Sequence, residues 1–554
     1  MRYTRAAVTG SGEFFRAVFW GEHMGDADPS LLYWSWFFLA IYIGLMIFFG
    51  VMGMRRVKSG DDFATARGAY GPIFLSFALT ATAASGGTFL GLPALAYKTG
   101  FSCLWYAFVY PVAAYLGVLM ALKMVRRAGA NFGNRSTAEY LGDRFQSDAL
   151  RVLVSVFSLL LLFYLAAQLL SGAVMFNRMM GVDILPALAI TGAILLIYIV
   201  IGGAHADILT DGVQGALMLV LAILVAFLFF TGFNIEGGFS GMVSKLEAID
   251  PALVQPLHPT HPLLDSWWDV FAIFITHAPI GMLPHIGNKL WALRSDRDQV
   301  KFIVVSFIFG MILPALTFGG ILARAILGDA LLVEGASAND AIPMLFIATM
   351  PAWLAGLIGA GVLAAVMSTA DGLVVSTSQI FANDIYRRTI APRLKSKPSD
   401  EVVDRMSLKI SRIATVGVMI GAAWLAFEAQ TMNVALLIWA GVGGMMAAMF
   451  GPLFCGILWR GATRAGAIAG FVAGGAVFIV LKAQWLEAAW FVGTIFETQG
   501  AWLAAQGVNP FACATIGSGF SLLGLVVVSK FTQAPDSEHL DRMFEEPVPE
   551  GAIV

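Results

Sequence analysis

The sequence predicts an all-α integral membrane protein with thirteen transmembrane helices, and three observations carry that prediction. Only 13% of the 554 residues are charged while 58% are apolar, against roughly 25% charged residues in a soluble domain. Mean hydropathy is +0.78. The apolar residues also fall in long runs, such as LLYWSWFFLAIYIGLMIFFGVMGM (31–54) and ALMLVLAILVAFLFFTGF (216–233). These reach or approach the ~20 residues that cross ~30 Å of hydrocarbon at about 1.5 Å per residue. They lack the alternation of barrel strands, so helices must satisfy the backbone.

The spans read as 31–54, 70–97, 102–124, 150–180, 184–202, 207–233, 267–293, 300–327, 351–386, 406–427, 432–459, 465–483 and 509–530. An odd number places the termini on opposite sides. With the N-terminus outside, 26 of the 34 basic residues lie in inner loops or the tail, with Lys289, at the inner end of the seventh span, counted among the loop cations, as the positive-inside rule requires. The predicted localisation is the cell (inner) membrane, multi-pass, with the C-terminus cytoplasmic. Residues 1–30 lack a sustained apolar core and read as an extracytoplasmic segment rather than a signal peptide. The connection 234–266, with its two His-Pro pairs, reads as an external loop, and 337–350 as an external helical hairpin. The acidic stretch 531–554 reads as a solvated tail. Cys103, Cys455 and Cys513 lie in apolar stretches without disulfide or zinc spacing and read as packing residues.

Two spans are interrupted. The second holds Gly86-Gly87 mid-membrane and Gly91-Leu92-Pro93 a turn later; the seventh holds Pro279, Gly281 and Pro284 near its middle. The second span runs outward and the seventh inward, each starting a five-helix unit, as an inverted repeat requires. Unwound backbone at membrane depth is tolerated only where it lines a cavity. A solute cavity is therefore expected beside Ser85, Gly86, Gly87 and Thr88, facing Thr276, His277 and Ile280, with amides at the break free to receive a carboxylate.

Polar groups inside the ninth span give the strongest local signal, in GVLAAVMSTADGLVVSTSQIFANDIY (361–386). Ser368, Asp371 and Gly372 share one helical face. The Ser368 and Thr369 hydroxyls either bind a hard cation, together with carbonyls of a broken helix, or bond back to their own helix. Asp371 and Asp211 need a partner, hydration or an ion at bilayer depth. His277, beside the second break, either meets a solute or proton or is a satisfied buried histidine.

At these residues the chain resembles the sodium:solute symporter family. The match is carried by FLGLPALAYKTG (89–100), GGAHADILTDGVQG (202–215), MLPHIGNKLWAL (282–293) and LAAVMSTADGLVVSTSQIFANDIYRR (363–388), and it extends over roughly 31–530. The resemblance implies a LeuT-like fold. Two inverted five-helix repeats, 70–233 and 267–459, would form its core, with 31–54 and two helices in 464–530 peripheral. It also implies one sodium site formed by the carbonyls of Ala81, Ala84 and Ala365 with the hydroxyls of Ser368 and Thr369, supported by Asp211. The sequence departs from the family pattern at three places. Ala83 stands where some proline-type members carry aspartate, and Leu283 where proline permeases carry glutamine. Asp371 and Gly372 stand where some members place hydroxyls for a further sodium, leaving Asp211 and Asp371 as a site for a second cation or a proton.

The resulting expectation is sodium-coupled import of a small, carboxylate-bearing solute (a monocarboxylate, pantothenate or an amino acid) by alternating access. The coupling ion expected is Na+. The partners are that solute and the lipid bilayer, with no nucleic acid, and the state is a monomer or weak oligomer. The alternatives are proton coupling through Asp371 and Asp211, or a solute sensor on a transporter core. An enzyme is not expected, because the sequence shows no catalytic carboxylate pair, metal cluster or nucleophile–base pair.

Overall fold

The computed structural model describes residues 29–545 apart from 57–65, 67, 135, 294–295, 397 and 534. The amino-terminal segment read over 1–30 therefore lies, up to residue 28, outside the described residues, as does 546–554 of the tail.

Every regular element among the described residues is helical. α1 (Pro29–Met54) is the first element among the described residues. The second span is split: α2 (Pro72–Ala83) stops, a π-helical turn forms at Gly87–Gly91, and α3 (Leu92–Thr99) resumes. α4 (Cys103–Phe132) crosses next. The short α5 (Thr137–Arg144) is N-capped by Ser136, whose hydroxyl accepts from the Glu139 amide at 3.1 Å. α6 (Asp148–Phe157) and α7 (Leu161–Met180) follow. α8 (Ile184–Thr231) is helical throughout its 48 residues, about 72 Å if straight. That is too much for one crossing, and its apolar portions are Ile184–Ile197 and His205–Thr231.

α9 (Gly238–Ile249) lies in the long connection. The seventh span is split as the prolines predict, into α10 (Trp267–His277), a 3-10 turn at Ala278–Met282 and α11 (Pro284–Trp291). Pro279 and Pro284 each start a helical turn, where a missing N–H costs nothing. α12 (Asp296–Ile312), α13 (Thr317–Leu327) and the short, largely buried α14 (Ala341–Thr349) lead to α15 (Ala352–Gln379), which continues as a π-helical stretch at Ile380–Ile390. α16 (Asp400–Glu428), α17 (Val434–Leu458), α18 (Arg464–Lys482), α19 (Glu497–Ala505), α20 (Pro510–Lys530) and α21 (Ser537–Phe544) are the remaining described helices.

Among the described residues, ten helical stretches are long and apolar enough to cross a membrane and two more are shorter and apolar. Large apolar side chains face outward on them, Phe48, Phe227, Ile420 and Trp424 included, a pattern that hydrocarbon satisfies and water does not. α15 is the innermost element. Every residue from Gly361 to Ser378 is buried, within a cage of α1, α2, α7, α8, α11 and α16. A helix apolar all round belongs in such a place, so its few polar groups must find partners on those neighbours. α18 and α20 approach closely through Gly466, Gly470 and Gly474 on one side and Ser521 and Ser529 on the other, the small-residue spacing of membrane helix pairs. The three cysteines are free and buried.

The described part of the acidic stretch, up to residue 545, departs from the solvated tail that its acidity suggests. Leu540 and Met543, three residues apart on α21, are buried, so this helix docks on the ends of α4 and α5 and on the turn after α17.

Candidate functional site

α2 ends one residue short of Ala84, whose φ of −87° and ψ of 84° leave the helix. The last carbonyls of α2 are thereby released from the helical ladder and turn toward α15. Ser368 Oγ lies 3.0 Å from the Ala81 carbonyl and 2.9 Å from that of Ala365, and Thr369 Oγ1 donates to the Thr82 carbonyl at 2.9 Å. The structure thus brings Ala81, Ala365 and Ser368 into direct contact. Thr369 meets the same helix end one residue along, and Ala84 sits at the break itself, also buried. Ser368 both bonds back to its own helix and crosses to α2. Neutral hydroxyl and carbonyl oxygens converging in a dry interior form a donor set for a hard monovalent cation.

Beside this helix end lies a cavity lined by Ala83, Ser85, Gly87, Thr88, Tyr106, Tyr110, Tyr164, His277, Ile280, Ile438 and Trp439, among others. Five of the seven expected solute residues, Ser85, Gly87, Thr88, His277 and Ile280, meet there. Gly86 and Thr276 do not. Gly86 is pressed against α7, its amide donating to Gln168 Oε1 at 2.7 Å. Thr276 turns to α20, bonding the Phe511 carbonyl and the Thr515 hydroxyl, each at 3.0 Å. The Gly87 amide is also occupied, by Ser85 Oγ at 3.1 Å. The amides of Gly86 and Gly87, expected to be free for a carboxylate, are therefore already satisfied. Hydroxyls and rings line the cavity instead. Tyr106, Tyr110, Trp439 and Phe511 surround the His277 ring with centroids 4.5 to 5.7 Å away. Its Nδ1 lies 2.6 Å from the Ile273 carbonyl, which can only accept, so Nδ1 carries the proton and Nε2 is the acceptor.

A third group of polar residues adjoins the ion region. Asp211 Oδ2 accepts from Thr82 Oγ1 at 2.6 Å and lies 3.0 Å from Lys289 Nζ; Lys289 also meets Asp207 Oδ2 at 2.5 Å. Thr210 Oγ1 reaches Asp371 Oδ2 at 3.5 Å. Asp371 therefore meets α8 at Thr210, one residue before Asp211, and Asp211 is already paired with Lys289. Sequence reasoning counted Lys289 as a loop cation and passed over Asp207. The signal available was the i, i+4 spacing of Asp207 and Asp211, which puts both on one face. The tyrosines were also missed, although Tyr106 and Tyr110 share that spacing on α4.

An all-helical membrane protein with two interrupted spans meeting at a buried polar pocket is built as a secondary transporter. Residues 63–474 match the sodium:solute symporter family, and the chain belongs to it. It is a multi-pass, sodium-coupled solute symporter and not an enzyme. It is 27% identical over 451 residues to the sodium/pantothenate symporter of Escherichia coli (strain K12), covering 80% of this chain and 89% of that one. It is also 27% identical over 519 residues to the sodium/proline symporter of Salmonella typhimurium (strain LT2), covering 91% and 94%. Its fold is similar to the solved structure of a Na+-coupled sialic acid symporter in a substrate-bound, outward-open state. That match has a TM-score of 0.71 at 21% identity and covers 91% of this chain and 99% of that one.

Proposed function

We propose that this symporter imports a small carboxylate-bearing solute together with sodium, by alternating access. In this reading the carbonyls of Ala81, Ala84 and Ala365 and the hydroxyls of Ser368 and Thr369 bind the ion, and the cavity at Ser85, Gly87, Thr88, His277 and Ile280 binds the solute. The observation that carries it is Ser368 Oγ, shared between the carbonyl of Ala81 in α2 and that of Ala365 in α15. An ion there draws together the broken helix and the central one, so sodium favours the state in which the adjoining cavity is shaped for solute. Coupling requires that differential binding. Thirteen spans in two inverted repeats, an external N-terminus and a cytoplasmic C-terminus in the cell membrane complete the reading. The matched breaks and the distribution of basic residues support them.

The lining favours a monocarboxylate over an amino acid. Relatives are named for pantothenate and proline, and both solutes carry a carboxylate. Hydroxyls of Ser85, Thr88, Tyr110 and Tyr164 are the donors available to it, and none of the residues lining the cavity is charged. An α-ammonium would find no carboxylate partner there. A lone carboxylate takes its counter-charge from the neighbouring sodium, which is why the two ligands bind together.

Uptake into proteoliposomes tests the proposal, with acetate, pyruvate, pantothenate and proline offered separately. Replacing sodium by choline is expected to abolish uptake. Ser368→Ala with Thr369→Ala is expected to raise the half-saturating sodium concentration about tenfold or more, or ~1.4 kcal/mol per factor of ten. Uptake that ignores sodium and follows a pH gradient overturns the reading in favour of proton coupling through Asp371 and Asp211.

A further inference from the structure

Lys289 is fully buried, on the half-helix α11 that follows the second break, and its ammonium is held between two carboxylates of α8. Nζ lies 2.5 Å from Asp207 Oδ2 and 3.0 Å from Asp211 Oδ2, with side-chain exposures of 0 or 1% throughout. Asp207 and Asp211 stack one turn apart, so without a cation between them two like charges would face each other in a dry interior. Their outer oxygens, Asp207 Oδ1 and Asp211 Oδ1, are buried and have no hydrogen-bond partner among the described residues. The pair is thus an oxygen-rich pocket with a cation already inside it. Thr82, which donates to Asp211 Oδ2 at 2.6 Å, is the residue after Ala81, so this pocket directly adjoins the sodium region.

We propose that Lys289 is a tethered cation filling, between Asp207 and Asp211, the place a second coupling ion would otherwise take, so that the chain binds one sodium. This inference rests on the reading of Ser368 and Thr369 as the sodium site. The ammonium supplies three donors and a compact charge, and it does what a bound ion would do: it joins α8 to α11 and neutralises Asp211. It differs from a free ion in one respect. It is never released, so it takes no energy from the sodium gradient. At zero membrane potential a tenfold sodium gradient then supports about tenfold solute accumulation, where two ions would support about a hundredfold.

The test counts bound ions with sodium alone as the probe, by equilibrium binding of radioactive sodium to the purified full chain in nanodiscs. The wild type is expected to bind one ion. Lys289→Met, which matches the side chain as far as Cε and removes the charged Nζ, is expected to bind two. Asp207→Asn combined with Lys289→Met, with one charge of each sign removed, is expected to return to one. Adding Ser368→Ala and Thr369→Ala should remove one ion from both wild type and Lys289→Met. In Lys289→Ala, methylammonium fits the vacated space and is expected to displace the second ion but not the first. Two ions in the wild type overturn the inference and leave the sodium site standing. A folded Lys289→Met that binds only one, or a Lys289→Ala whose bound sodium is insensitive to methylammonium, also overturns it. A wild type that binds none overturns the sodium site, and the inference with it. If neither Lys289 variant folds, the wild-type count decides, one ion supporting and two overturning.

Discussion

Gly86 shows at the scale of one residue why the first break is where it is. A Cβ built there would lie 2.3 Å from Ser171 Oγ and 2.8 Å from Ser171 Cβ, both on α7. The missing side chain lets the chain pass close enough for the Gly86 amide to reach Gln168 Oε1 at 2.7 Å. That hydrogen bond satisfies a donor which an interrupted helix would otherwise leave buried and unpaired. Gly86→Ala is expected to destabilise the protein by about 1–3 kcal/mol through overpacking, read as a lower melting temperature in detergent. Trimming Ser171 to alanine leaves its Cβ in the way, so Gly86→Ala with Ser171→Ala should recover only part of the loss. Recovery to wild-type stability would show that the hydroxyl alone sets the spacing.

At the scale of an element, α21 is the part whose behaviour departs furthest from its composition. Eight residues make too short a helix to persist in water, so it is held by what it touches. Met543 is fully buried and Leu540 nearly so. The Phe544 ring lies 5.4 Å from the guanidinium of buried Arg144, which itself donates to the Gly456 and Trp459 carbonyls at 2.8 and 2.9 Å. His539 Nε2 meets the Asp143 carbonyl at 2.7 Å, and Asn131 and Arg542 exchange side chain-to-carbonyl bonds at 2.9 Å. Asp541 pairs with Arg460 at the surface. Burial outweighs charge here. Met543→Ala is expected to cost about 2 kcal/mol or more, and Asp541→Ala about 1 kcal/mol or less, because exposed ion pairs contribute little. Thermal melting of both variants checks the ranking, and an equal or reversed order would mean that the tail is held electrostatically.

Orientation belongs to the whole molecule. Because Cys103, Cys455 and Cys513 are buried, single exposed cysteines report on topology against a silent background. Thr494 lies between α18 and α19 and Glu401 at the start of α16, and both are exposed. With the proposed N-out, C-in arrangement, a membrane-impermeant maleimide on intact cells is expected to label Thr494→Cys and spare Glu401→Cys. The opposite pattern would invert the topology and with it the direction assigned to transport.

Much of this architecture is legible along the chain because its physical causes are local. Twenty apolar residues in a row must be a membrane helix, and Pro279, Pro284 and the Gly86-Gly87 pair mark their breaks by backbone chemistry alone. A hydroxyl pair at Ser368 and Thr369 in a span otherwise apolar likewise declares a polar task, and the family follows from those same segments. What the tertiary structure decided are meetings between residues far apart in sequence. Ser368 reaches Ala81 across 287 positions and Lys289 reaches Asp207 across 82. No periodicity within a helix specifies which neighbour it faces. The same reason explains why Lys289 reads as a loop cation in the sequence and proves to be a buried counter-ion. It also explains why Thr276, expected on the cavity face, turns to α20, and why residues 537–544 of the acidic stretch form a docked helix. Composition fixes the solvent each helix needs; only packing decides which polar group on it is left for an ion or a solute.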